Sequence, residues 1–129
     1  MEEEGVTPIM LTITGAVVSL KNSRRLVRKA RTGKPFSIKS ADAERYQRDF
    51  VAQIPAKYRG LKLGSRNQLL KVITEVFYPS LRSDLDLAII YDCLQLAGVI
   101  SNDRWIRAKT EYASIDAKSP RCEIIVEEL

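Results

Sequence analysis

The sequence predicts a single α+β domain in which a small mixed β-sheet is packed with two main helices. Three observations point there. A length of 129 residues suits one hydrophobic core and is too short for two. Stretches rich in β-branched and apolar residues, 9–18 and 69–77, alternate with stretches of helical periodicity, 40–54 and 85–97. No repeat, low-complexity tract or linker divides the chain, so residues 1–129 read as one domain.

The elements follow in order. Ile9 to Val18 is rich in β-branched residues and reads as a strand. Residues 19–40 read as a basic mobile loop, interrupted by Thr32-Gly33-Lys34-Pro35 and closing with a short strand from Phe36 to Ile38. Ser40 is placed to cap a helix that Pro55 ends, with Tyr46, Phe50, Val51 and Ile54 on its core face. Leu69 to Phe77 alternates as a mostly buried strand. Leu85 to Ala97 puts Leu87, Ile90, Tyr91, Leu94 and Ala97 on one helical face and stops at Gly98. Trp105 to Ile115 and Cys122 to Val126 read as two closing strands joined by a turn at Lys118-Ser119-Pro120.

Composition removes whole classes of chemistry. There is no histidine, which excludes Ser-His-Asp and Cys-His nucleophiles, His-ligated zinc and imidazole acid/base catalysis. Two cysteines, Cys93 and Cys122, are too few for a disulfide scaffold and read as reduced apolar side chains. No Gly-rich phosphate loop indicates an organic cofactor. No apolar run reaches the roughly eighteen residues of a membrane span. The acidic start, Met1-Glu2-Glu3-Glu4, is unlike a secretory signal, so a cytoplasmic protein is expected.

The charges are unevenly placed. Lysine and arginine total 21 against 16 acids, a net charge of +5. Between Ser19 and Ser40 lie Lys21, Arg24, Arg25, Arg28, Lys29, Arg31, Lys34 and Lys39 with no acid among them. Lys57, Arg59, Lys62, Arg66 and Lys71 form a second acid-free group. Such segments suit a polyanion, because each cation that meets a phosphate releases condensed counterions; they also fit a solvated surface loop. On the first reading Lys21, Arg24, Arg25, Lys34 and Lys39 grip backbone phosphates, and Asn22 hydrogen-bonds a phosphate or base. Trp105 is expected in the core, with stacking on a base or a place at a subunit interface as the alternatives.

Against that background three acids stand out: Asp84 and Asp86 at the entrance to the second helix, and Asp103 after it. Asp84 and Asp86, two apart in a turning segment, point the same way. A strand starting at Trp105 and running back alongside brings Asp103 to the same end of the sheet. Three carboxylates with water and a phosphate oxygen form the all-oxygen sphere that Mg²⁺ or Mn²⁺ prefers, and that phosphodiester hydrolysis uses. The same residues also fit a capping role: Ser83 with Asp86 resembles a capping box, and acids in a first turn favour the helix dipole.

The C-terminal half resembles the RusA-type Holliday junction resolvases. The match runs through Arg82-Ser83-Asp84-Leu85-Asp86, Asp92-Cys93-Leu94-Gln95-Leu96-Ala97-Gly98-Val99-Ile100 and Asn102-Asp103-Arg104. Lys21-Asn22-Ser23-Arg24-Arg25 and Ile38-Lys39-Ser40 are similar to that family's substrate-facing loop and its exit. The resemblance implies a Mg²⁺-dependent, dimeric endonuclease that nicks four-way DNA junctions, with Asp84, Asp86 and Asp103 as catalytic metal ligands. The family pattern continues with Asn and a later Lys, where this chain has Leu87 and Ile90, and the helix is two residues shorter. Aligning on the helix instead matches Asp84 to the second acid, Arg82 to the first and Ala88 to the Lys. Asp92 is expected on the helix face, outside the ligand set.

A four-way junction has near two-fold symmetry and needs two opposed nicks, so a two-fold homodimer is expected. Its rival is a basic DNA-binding or architectural protein without catalysis; a third reading is a small RNA-binding or replication accessory.

Overall fold

The computed structural model describes residues 7–20, 24–28, 35–39 and 41–129. A four-stranded sheet forms its base, in the order β1 (Ile9–Thr14), β6 (Arg121–Glu128), β4 (Leu70–Tyr78), β5 (Ile106–Ile115). The β1–β6 and β6–β4 pairs are antiparallel, with Ile9 and Val72 both opposite Val126; β4 and β5 are parallel, with Val76 opposite Ala113. The sheet is therefore mixed, as expected.

Period-two burial decides which side the helices cover. Ile9, Leu11 and Ile13 of β1, Cys122, Ile124 and Val126 of β6, and Leu70, Val72 and Val76 of β4 are buried in one cluster. Helices α1 (Ala41–Gln53) and α2 (Ala88–Leu96) add Tyr46, Phe50, Ile89, Ile90 and Leu94 to it. The alternate residues, among them Met10 and Glu123, face the opposite side. Of the expected α1 core face, Tyr46, Phe50 and Ile54 are buried and Val51 is half-buried. Cys93 and Cys122 are free thiols inside the core, and burial pushes Cys122 up to about 11. Trp105 is half-buried, with the Arg104 guanidinium 4.7 Å above its ring.

Several boundaries differ from the sequence reading. The basic segment is more than a loop with one short strand, because β2 (Arg24–Arg28) pairs antiparallel with β3 (Pro35–Lys39) in a separate two-stranded sheet. Ser40, the expected cap of α1, lies outside the described residues. Helix α2 begins at Ala88 rather than Leu85, because Asp86 Oδ1 accepts the Ala88 N–H and holds the preceding residues in a turn. That contact takes the place of the expected Ser83–Asp86 capping box. The stop is where it was expected. Gly98 has φ +75°, and the Val99 N–H reaches back to the Leu94 carbonyl. A Cβ there would lie 2.9 Å from the Gly60 nitrogen, so the close approach of the two chain segments also requires glycine.

A 3₁₀ turn (Asp103–Trp105) precedes β5. Among the described residues no helix is long and apolar enough to cross a membrane.

Candidate functional site

The acid pair sits where β4 ends. After Tyr78 the chain turns outward and comes back into α2, leaving Asp84 exposed and Asp86 half-buried. The turn is pinned from below by the Tyr78 hydroxyl, which donates to the Asp84 carbonyl oxygen at 3.0 Å. Asp86 is pinned from two sides: Oδ1 accepts the Ala88 N–H at 3.2 Å and Oδ2 accepts the Ser19 hydroxyl at 2.7 Å. A carboxylate that takes charge-assisted hydrogen bonds is fixed in direction as well as place.

The ground beneath the pair is tyrosine-lined and acidic. Burial raises the Tyr78 hydroxyl above its ordinary value; a hydrogen bond with the Asp86 backbone works against this, and the carboxylates of Asp86, Glu111 and Asp84 add to it. The Tyr91 hydroxyl donates to Glu111 Oε2, and burial followed by that carboxylate pushes Tyr91 strongly upward. Lys109 lies 4.2 Å over the Tyr91 ring. Sequence reading put Tyr91 on the core face of the second helix and gave Tyr78, Tyr91 and Glu111 no role in a site. The available signal was an acid in the middle of a strand, which at Glu111 falls opposite Thr74 in the β4–β5 register.

Asp103 does not join the pair within one copy. Because β5 runs parallel to β4, with Leu70 opposite Ile106, the start of β5 lies at the start of β4, and Asp84 and Asp86 lie beyond its end. The expectation that the strand after Asp103 runs back to the same end is therefore corrected. Nine residues of α2, about 13 Å of helix, separate the two places. At its own end Asp103 is exposed, its N–H given to Gln95 Oε1 at 3.0 Å, while Asn102 Oδ1 accepts the Arg104 N–H at 2.9 Å. Among the described residues no three His, Cys, Asp or Glu side chains converge as metal ligands. One copy thus places Asp84 and Asp86 at one end of α2 and Asp103 at the other. Asp92 is exposed on α2, in line with its placing on the helix face.

The cations divide. Lys21, Asn22 and Lys34 lie outside the described residues. Arg24 and Arg25 belong to β2 and Lys39 to β3, where Arg24 falls opposite Lys39 and Arg25 opposite Ile38. In the second basic group Arg59 is structural: its Nε and Nη2 donate to the carbonyls of Ile54 and Ala52 at the end of α1. Lys57 lies 5.0 Å over the Tyr58 ring.

A scan against protein-family models finds no match to this chain, and neither does a search of curated proteins.

Proposed function

We propose that this protein is a Mg²⁺-dependent endonuclease acting on branched DNA, as its resemblance to the RusA-type resolvases implies, and that it works as a two-fold dimer. The observation that carries the reading is the Ser19–Asp86 hydrogen bond. It seats the root of the acid-free basic segment, which begins two residues later at Lys21, against the acid pair. Backbone phosphates gathered by Lys21, Arg24, Arg25, Lys34 and Lys39, with Asn22 beside them, are then delivered to Asp84 and Asp86.

The third carboxylate comes from the second copy. A two-fold axis across α2 brings opposite ends of the two helices together, so the partner's Asp103 completes each pair and the dimer has two sites. When bound there, Mg²⁺, or Mn²⁺ in its place, supplies Lewis-acid activation of the scissile phosphate and of the attacking water. The chain's own part is to fix the carboxylates. Tyr78 holds the Asp84 turn, and Ser19 with the Ala88 N–H aims Asp86.

Mixing two inactive variants tests this. Asp84→Asn and Asp103→Asn should each abolish nicking of a synthetic four-way junction in Mg²⁺. A mixed dimer keeps one intact site, so an equal mixture should recover about a quarter of the sites. No recovery on mixing, with each variant still dimeric, refutes the shared site. Wild-type protein that binds the junction in Mg²⁺ without nicking it favours the second reading, a non-catalytic DNA-binding protein. That reading draws on the separation of Asp103 from Asp84 and Asp86 within one copy.

A further inference from the structure

β5 is an edge strand. Nine of its ten residues pair with β4, Arg107 being skipped, and among the described strands it pairs with no other. An open edge of this length is a template for another strand. Its side chains divide by face. Glu111 and Lys109 engage Tyr91 and so lie on the helix side; Thr110 and Tyr112 alternate with them on the other side, where Tyr112 is 55% exposed.

We propose that β5 pairs antiparallel with β5 of a second copy, about a two-fold axis at Thr110 perpendicular to the sheet. This names the interface of the dimer and rests on the dimeric reading given above. Two requirements select the register. Opposed residues in a sheet point to the same face, so an axis that keeps both copies' helices on one side must pass through a residue and not between two. An axis through Lys109 opposes two lysines, and one through Glu111 opposes two glutamates. An axis through Thr110 sets Lys109 opposite the partner's Glu111 and Glu111 opposite the partner's Lys109, two symmetric ion pairs. Both side chains are already held on the helix side by one ring: Glu111 by the Tyr91 hydroxyl and Lys109 by the ring face. Less side-chain freedom is therefore lost on pairing.

The pairing also serves the acids. Tyr91 ties α2 to β5, so two antiparallel β5 strands carry two antiparallel α2 helices side by side. The end of α2 that holds Asp84 and Asp86 then meets the end of the other helix, where the partner's Asp103 sits.

The test is the oligomeric state without DNA, by light scattering and sedimentation over a concentration series. Wild type should be a dimer. Lys109→Glu opposes two pairs of glutamates and should raise the dimer dissociation constant about tenfold or more. Lys109→Glu with Glu111→Lys restores opposite charges and should recover the dimer. Should the double variant misfold, Thr110→Cys tests the same axis: opposed Cα atoms in an antiparallel pair lie about 4.5–5.5 Å apart, within disulfide reach, so oxidation should give a reducible dimer. A monomeric wild type, a folded Lys109→Glu protein that dimerises as tightly as wild type, or failure of Thr110→Cys to cross-link overturns the pairing. The nuclease reading fails separately: a β5 dimer that never nicks DNA overturns the activity and leaves the interface standing. Recovery of nicking by mixed variants with an unaltered Lys109→Glu dimer overturns only the interface.

Discussion

The Ser19 hydroxyl donates to Asp86 Oδ2 at 2.7 Å across 67 positions of sequence. Ser19 lies on the segment leaving β1 and Asp86 in the turn entering α2, so one bond joins the two stretches whose charges are most lopsided, the basic segment and the acid pair. With the Ala88 N–H on Oδ1, that bond sets the direction of the Asp86 carboxylate.

Asp86 has two duties that substitutions separate. Asp86→Asn keeps an oxygen for the Ala88 N–H and removes the charge, so melting should change little. Nicking should fall by at least the roughly 100-fold that follows loss of support to a metal ligand. Asp86→Ala also leaves the Ala88 N–H and the Ser19 hydroxyl without this acceptor and should cost about 1 kcal/mol of stability. Thermal melts set beside junction assays check both; wild-type nicking by Asp86→Asn would remove Asp86 from the site.

On the proposed reading the basic segment supplies affinity rather than chemistry. Changing Arg24, Arg25 and Lys34 together to Ala should weaken junction binding and flatten its salt dependence by about 0.9 log–log units for each phosphate that is no longer neutralised. Binding isotherms across a salt series read the slope directly, and an unchanged slope would make the segment a bystander.

Alkali should unfold the protein in a graded way. Burial raises the hydroxyls of Tyr46, Tyr91 and Tyr78, whereas an unfolded chain ionises its tyrosines near pH 10. Above that pH the unfolded state has released protons that the folded state still holds. The stability these groups contribute is therefore complete below about pH 10 and is lost as pH rises toward their folded values. A tyrosine that stays protonated in the folded state at such a pH adds a slope of at most about −1.4 kcal/mol per pH unit. Tyr46→Phe should remove one of these increments in urea unfolding measured between about pH 9 and pH 11.

Gly98→Ala should destabilise by about 1–3 kcal/mol, since a residue with a side chain is strained at φ +75° and its Cβ would press on the Gly60 backbone. Urea unfolding gives the value directly. A neutral result would mean that the Gly60 turn yields freely, although it is tied to α2 by the bond from the Lys62 N–H to the Gly98 carbonyl.

Most of the elements were legible because their signals are local. Alternation in Leu70–Tyr78, the spacing of Tyr46, Phe50 and Ile54, and the glycine stop at Gly98 each depend on a few neighbouring residues and on whether they face a core. Asp84 and Asp86 were found as a pair for the same reason, being two apart in one turn. The start of α2 was misplaced by three residues because a carboxylate competing for the Ala88 N–H leaves no trace in hydrophobic periodicity. Strand β2 escaped notice because a run dominated by cations shows no apolar alternation, whereas its partner β3 was expected as a short strand from Phe36 to Ile38.

Periodicity and composition carried this chain as far as one α+β domain, a two-helix core, the absence of histidine and an acid-free basic segment. They carry no information on strand direction, which depends on hydrogen bonding between segments distant in sequence. Whether β5 lies parallel or antiparallel to β4 leaves its own residues unchanged, yet it moves Asp103 from one end of α2 to the other. The contacts that crowd Tyr91 with Glu111 and Lys109, and that lay Ser19 on Asp86, arise in the same way. Each joins side chains that come together after the sheet has chosen its order, because hydrophobic burial drives the layers together without regard to which polar groups then meet.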